Sequence, residues 1–294
     1  MSPDAGTVAR LTGRDVVGGG RGFPPRFTLD DRAGGTTEVV VKDGAADPGS
    51  IPAEAAGLRW LAVPGGPPVP EVLGADDTLL VSTAVPGGRP STDAAQELGH
   101  RLVALHGSGA DAFGAPPPGG PEDAWIGHTG MRNRPCDGPW GAWFADERVL
   151  PYLRTARDRG AVDARGATVV ERVCERLHDP ADDLAGPAEP PARLHGDLWS
   201  GNVLWSAEGA WLIDPAAHGG HRESDLAMLE LFGLPHLDRV LGAYADAAAG
   251  AGVPLAPGRE HRVPLHQLFP LLVHAVLFGG GYGSRAVAAA RELG

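Results

Sequence analysis

The chain has 294 residues, of which 43% are apolar and 21% charged, and a formal net charge of -12. This composition predicts a soluble globular protein with a large core, arranged as one two-lobed unit or two domains. The acidic balance repels phosphate backbones, so nucleic acid is not an expected partner. The two cysteines, Cys136 and Cys174, fit neither a disulfide framework nor a zinc site.

The N-terminal stretch MSPDAGTVAR lacks the apolar core of a signal peptide, which makes a cytoplasmic protein the expectation. Residues 1 to 81 read as short strands and turns with one helix. VVGGGRGF reads as a glycine-rich turn after an apolar pair. RFTLDD and TEVVVKD read as two strands joined by the DRAGG turn, with Lys42 at the end of the second. SIPAEAAGLRWL reads as a helix, with Ser50 as N-cap and Pro52 in its first turn. VPEVLG and TLLVSTAV follow as strands, then the glycine turn PGGRP. The expected lobe boundary lies close to Val85, giving lobes of residues 1–85 and 86–294.

Beyond it the pattern becomes helical. Thr92 is the expected cap of a helix that aligns Leu98, Leu102 and Leu105 on one face. Residues 107 to 123 read as a loop, Trp140 to Arg157 and Ala167 to Leu177 as helices, and 179 to 192 as a second loop. VLWS-AEG-AWLID reads as a hairpin, and the remainder as helices. VPLHQLFPLLVHAVLFGG is broken by His266, Gln267, Pro270 and His274, so it reads as a buried helix and not a membrane span. There is no internal repeat. A small strand-rich lobe, a hinge and a larger helical lobe make an α+β, bilobal outline of the protein-kinase kind.

The chemistry is concentrated in RLHGDLWSGNVLW, residues 193 to 205. Asp197 is followed after five residues by Asn202, and WLIDP then supplies Asp214. Phosphoryl transfer from ATP needs a carboxylate to accept the proton of the attacking hydroxyl and oxygen ligands for magnesium. Asp197 fits the first role, and Asn202 and Asp214 the second, because magnesium prefers hard oxygens and keeps several waters. The interval from Asp197 to Asn202 is that of the kinase catalytic loop. His195 reads as a buried residue that holds the loop. One lysine, Lys42, stands against 24 arginines. A lone lysine in such a chain points to a position that needs a compact ammonium rather than a planar guanidinium. It is expected on the ATP phosphates, held by Glu54 from the following helix. Gly18, Gly19 and Gly20 are candidates to lie over those phosphates, and the hinge from Ser82 to Val85, with Thr83 and Val85, to meet adenine.

These residues resemble the fructosamine kinase (ketosamine 3-kinase) family, a branch of the kinase-like fold near the aminoglycoside and choline kinases. The match is carried by LHGDLWSGNV (194–203) and IDPAAHGGHRESDLAMLELFG (213–233), with weaker likeness in WFADERVLPYL and HQLFPLLVHAVLFGGGY. The tryptophan in HGDLWSGN sets it apart from the general phosphotransferase pattern. The resemblance implies ATP-dependent phosphorylation of the third-carbon hydroxyl of a free or protein-bound ketosamine, followed by elimination that frees the amine, a deglycation repair. It implies Asp197 as base, Asn202 and Asp214 as Mg2+ ligands, and Lys42 with Glu54 as the phosphate-positioning pair. Trp199 would form a wall against the sugar. His274 and Tyr282 fall in the segment that would close the substrate pocket. His221, Arg222 and Glu223 read as structural, and Asp225 as a brace for the catalytic loop. GGGRGFPPRF departs from the family's glycine turn, with Phe23, Pro24 and Pro25 making a stiffer loop. Two other readings stay open: a related kinase for an aminoglycoside or choline, and a catalytically inactive kinase-like binding protein.

Overall fold

The structure, a computed structural model, describes residues 3–31 and 34–294. A first helix, α1 (Ala5–Thr12), is capped by Asp4, whose carboxylate accepts from the Thr7 N–H at 2.7 Å, and ends at Gly13 in the left-handed region. Its single buried residue, Val8, closes one face of the sheet that follows. That sheet is built from β1 (Val16–Arg21), β2 (Arg26–Asp30), β3 (Thr36–Asp43), β4 (Val72–Ala75) and β5 (Leu79–Thr83). Its order is β1-β2-β3-β5-β4, and every pairing is antiparallel. The glycine stretch is therefore a strand, β1, and not a turn. Gly18 and Gly19 pair with Thr28 and Phe27 of β2, Gly20 lies at a bulge before Arg21, and the turn itself falls at residues 22–25. In the expected DRAGG turn, Arg32 and Ala33 lie outside the described residues.

The two-residue period of β3 decides which face receives which side chain. Val39 and Val41 are buried against Phe27, Leu29, Val81 and Val8. Lys42 therefore points to the opposite face, where its register partner is Leu80. Helix α2 (Ser50–Leu61) covers that face: Ile51, Ala55 and Leu58 pack with Leu80. Glu54 shares their stripe at helical spacing, so an acid is carried to the buried side of α2. Gly49 occupies the N-cap position of α2 and Ser50 is its first helical residue, so the cap falls one position earlier than expected. Glycine at that position fits its left-handed backbone, with φ of 90°.

Residues 84–91 lead from β5 to α3 (Thr92–Gly107), whose N-cap is Ser91 rather than Thr92; the Ser91 hydroxyl accepts from the Ala94 N–H at 3.1 Å. Leu98, Leu102 and Leu105 are buried with Val240, Tyr244 and Ala248 of a later helix, as their spacing predicts. The expected loop at 107–123 runs instead into an unexpected hairpin, β6 (Asp123–Ile126) and β7 (Thr129–Arg132). Helix α4 (Trp140–Trp143) continues through a π-turn (Phe144–Val149) into α5 (Leu150–Asp158), and α6 (Ala164–His178) follows. Strands β8 (Ala192–Leu194), β9 (Val203–Ser206), β10 (Gly209–Leu212) and β11 (His218–Gly220) frame the HGD segment. The chain closes with α7 (Glu223–Phe232), α8 (Leu237–Gly250), α9 (Arg259–Phe278) and α10 (Tyr282–Glu292). Most of α9 is buried in the larger apolar cluster, and no described helix is long and apolar enough to cross a membrane.

Candidate active site

The segment between β8 and β9 is a loop held by its own backbone donors. Asp225, in the first turn of α7, accepts the N–H of His195 at 2.8 Å and that of Gly196 at 2.9 Å. His106 of α3 adds a third bond to the same carboxylate at 3.2 Å, and its other ring nitrogen meets the Tyr244 hydroxyl at 2.8 Å. Burial works against the Asp225 charge, but the hydrogen bond and the nearby ring of His106 hold its pKa below the usual range. Asp225 is thus the brace expected of it. Removing it would leave several buried donors unpaired. Asp225→Ala is expected to cost about 3 kcal/mol or more in a urea melt. A loss below about 1 kcal/mol would show that the loop holds its shape without this carboxylate.

His195 is fully buried. Its Nε2 faces the Ile213 carbonyl at 2.9 Å, so it carries a proton there, and Nδ1 accepts from the Asp197 N–H at 3.3 Å. Burial lowers its pKa, in keeping with a neutral structural imidazole. Gly196 sits at φ of 81°, and a Cβ on it would stand 2.1 Å from the Ala216 carbonyl oxygen. Only glycine lets the loop pass this close to the chain that follows Asp214.

Asn202 closes the loop. Its amide nitrogen donates to the Asp197 carbonyl at 2.8 Å, to Asp197 Oδ2 at 2.9 Å and to the Asp214 carbonyl at 3.4 Å. The hairpin β9–β10 then returns the chain, and the Ile213 N–H donates to the Asn202 carbonyl at 3.0 Å. Asp214 follows with φ of 55°, a conformation that aspartate tolerates better than most residues. Its carboxylate contacts the Lys42 ammonium, which also donates to Glu54 Oε1 at 2.7 Å. Burial opposes the Lys42 charge, but Glu54 and Asp214 together hold its pKa above the usual value. Burial raises the Glu54 pKa while Lys42 lowers it. Burial also pushes Asp197 up to about 7; the hydrogen bond from Asn202 opposes this, and the charges of Asp214 and Asp225 add to it.

Two adjoining cavities meet at these groups. One, of about 740 Å³, runs from Lys42 and Glu54 past Val40 and Leu58 to Thr83, Val85 and Leu204. The other, of about 320 Å³, holds Asp197, Trp199 and Asn202. Lys42, Glu54 and Asp214 line both. The first has the size and apolar walls of a nucleotide site. Gly18, Gly19 and Gly20 do not line it. Because they are paired in β1, the part of this region that faces the cavity is the following turn, Gly22 to Pro25, with Phe23 fully exposed at its tip. The Thr83 N–H is engaged by the Glu71 carbonyl at 3.0 Å and the Ala84 N–H by the Glu38 carbonyl at 2.8 Å.

Asp214 and Asn202 could hold a magnesium ion. The Asp214 carboxylate is 43% exposed, opens to both cavities and already attracts one cation, Lys42. The Asn202 N–H groups are turned to the loop, so its amide oxygen is the atom left to offer a metal. Hard oxygens of this kind suit that ion.

Trp199 lines the second cavity and is 37% exposed. His274 and Tyr282 do not line it. They connect to it through Phe232, which lies 6.1 Å from Trp199 and 4.5 Å from His274, with Tyr282 5.0 Å beyond. His274 donates from Nδ1 to the Pro270 carbonyl of its own helix at 2.8 Å, and burial lowers its pKa. His221, Arg222 and Glu223 are structural, as expected. Arg222 forks onto Glu189 at 2.7 Å, and Arg262 forks onto the buried Glu223 at 2.6 and 3.0 Å. Sequence reasoning missed His106, whose partner Asp225 is 119 residues away, and the hairpin β6–β7, whose signal was present in the alternation around Ile126-Gly127-His128-Thr129.

The pattern of the fructosamine kinase family matches residues 35–293. A probable ketoamine kinase of Synechocystis sp. is 35% identical over 242 residues, covering 80% of this chain and 75% of the relative. A probable ketoamine kinase of Thermus thermophilus is 35% identical over 236 residues, covering 80% and 79%. A crystal structure described as a fructosamine-3-kinase from Thermobifida fusca superposes with a TM-score of 0.86 at 45% identity, covering 100% of this chain and 99% of that one. An aminoglycoside phosphotransferase bound to ADP and hygromycin B superposes at 0.57 with 16% identity over 98% of both chains, which shows the shared protein-kinase-like fold alone. The chain belongs to the fructosamine kinase family and is a phosphotransferase that acts on a hydroxyl group.

Proposed function

We propose that this enzyme uses Mg-ATP to phosphorylate the third-carbon hydroxyl of a ketosamine, and that the unstable 3-phosphate then eliminates and frees the amine, a deglycation repair. The observation that carries this reading is the position of the Asp197 carboxylate. It faces a cavity walled by Trp199 and lies beside the Lys42–Asp214 contact where a terminal phosphate would arrive. Asp197 orients the sugar hydroxyl and accepts its proton as the phosphorus is attacked. Lys42, freed from Asp214 by the nucleotide, holds the phosphate oxygens, and Glu54 keeps it there. Asn202 and Asp214 would hold magnesium, which when bound would supply positive charge to the phosphates. Adenine takes the apolar walls at Val40, Leu58 and Leu204. Its polar edge falls to the hinge carbonyls and Val85, since the Thr83 and Ala84 N–H groups are engaged. Trp199 packs its indole on sugar C–H groups, and the Phe232–His274–Tyr282 stack supports that indole from behind.

The test is product analysis. A fructosamine incubated with Mg-ATP and enzyme should give a phosphorus resonance coupled to the proton on the third carbon, followed by loss of that species and appearance of the free amine. A phosphate on another carbon, or a stable product, would refute the third-carbon reading. Mg-ATP alone at about 100 times its Kd should stabilise the protein by about 2.7 kcal/mol, read as a rise in Tm. No rise would favour a nucleotide-blind binding protein.

A further inference from the structure

The second cavity has a wall that the catalytic loop does not supply. It comes from the hairpin β6–β7, which follows α3 in the chain but reaches across to the loop before α2. In β6, Ala124 and Ile126 are buried in the large helical core, so the two-residue period turns Trp125 to the other side, where it lines the cavity with Asp197 and Trp199. The Trp125 indole is fixed, because its Nε1 donates to the Pro48 carbonyl at 3.2 Å. The tip is fixed too. Ile126 pairs with Thr129, Gly127 turns the chain at φ of 55°, and His128 Nδ1 meets Asp47 Oδ2 at 2.6 Å. Asp47 is anchored in turn, since its N–H donates to the Gly44 carbonyl at 2.9 Å and its carbonyl accepts from Ser50 at 3.0 Å. Asp47 and His128 also line the cavity. The acceptor space therefore lies between two indoles, Trp199 on the catalytic side and Trp125 on the hairpin side, with a held carboxylate at the rim.

We infer that Trp125 and Asp47 form the part of the acceptor site that receives the amine-bearing half of the substrate and selects for it. This rests on the ketosamine reading proposed above. A ketosamine differs from a plain ketose by one amino group, which is cationic at neutral pH when it is an alkylamine. An indole face and a carboxylate both attract such a cation. ATP carries about four negative charges and one magnesium ion two positive ones, so Mg-ATP leaves the site net negative, which also favours a cationic acceptor. Among the described residues that line the cavity Lys42 is the one lysine or arginine; Glu54 holds it and the ATP phosphates would meet its charge, so it does not oppose a cationic acceptor. Trp199 then holds the sugar ring beside Asp197, and Trp125 and Asp47 read what is attached to it.

The test compares two acceptors under saturating Mg-ATP: a fructosyl-alkylamine and its isostere with an ether oxygen in place of the nitrogen. Trp125→Ala and Asp47→Asn are each expected to raise KM for the amine by about tenfold, with kcat changed by less than about threefold and KM for ATP unaltered. KM for the ether should move by less than about twofold, so the preference for the amine collapses. Trp125→Phe should recover most of it. Equal effects on amine and ether, or no effect on either, would overturn the inference while leaving the kinase intact. If Trp125→Ala fails to fold, Asp47→Asn and Trp125→Phe decide by the same ratio. Wild-type enzyme that phosphorylates no ketosamine would overturn the functional reading itself, and this inference with it.

Discussion

Asp197→Asn is expected to lower kcat on a ketosamine by about 10³-fold, the scale of a lost general base. KM for ATP should stay within about twofold, because Asp197 does not line the larger, nucleotide-sized cavity. In the proposed role of base Asp197 works as the carboxylate, and its pKa is raised to about 7, first by burial and then by Asp214 and Asp225. The kcat/KM of the wild type should therefore fall about tenfold per pH unit below that value, and the variant should lack this limb. The same shift sets a stability effect of opposite sense. The fold favours the neutral acid, so the contribution of Asp197 is present at low pH and is lost as pH rises from the ordinary aspartate range through 7. A neutral asparagine avoids that loss, so the variant should melt higher than the wild type above pH 7. A catalytic loss of less than about tenfold would remove Asp197 from the role of base.

Lys42→Ala is expected to lower kcat/KM for ATP by about 10²–10³-fold, the scale of a lost preorganised charge on a transferring group. It should also abolish most of the Mg-ATP shift in Tm. Lys42→Arg should not restore activity. Lys42 reaches Glu54 and Asp214 with one ammonium, and a guanidinium is broader and presents its donors in a plane. The loss has a second readout. Without Lys42, burial and Asp214 both raise the Glu54 pKa with nothing left to lower it. The apo variant should then bind a proton on folding as pH passes above the ordinary glutamate range, measurable as a steeper fall of stability with rising pH. Activity of Lys42→Arg near the wild-type level would mean that charge alone, and not its shape, is needed here.

Much of the site was legible because it is local. Asp197, Asn202 and Asp214 lie within eighteen residues, and the hairpin between the last two could be read from its turn. Lys42 stood out by rarity, and its pairing with Glu54 follows from strand period and helix period acting on one face of α2. The glycines were misread because a strand rich in glycine carries no side-chain alternation. Backbone pairing with β2 settles the matter, and composition does not express it. Ser50 and Thr92 each missed the true N-cap by one residue, since Ser91 takes the Ala94 N–H and Gly49 supplies the left-handed backbone at which α2 begins. The pairing of His106 with Asp225, and the meeting of Trp125 with Trp199 across one cavity, are products of tertiary packing. No local spacing encodes them.

The central claim is that this site moves phosphate from ATP to a sugar joined to an amine. It is tested most directly by ADP release with Mg-ATP over a panel of a fructosamine, a ribulosamine, an aminoglycoside and choline, each with the wild type and with Asp197→Asn. The account predicts turnover on one or both ketosamines, none on the other two, and loss of that turnover in the variant. Turnover confined to the aminoglycoside or choline would contradict the substrate, and silence on all four acceptors would contradict the account as a whole.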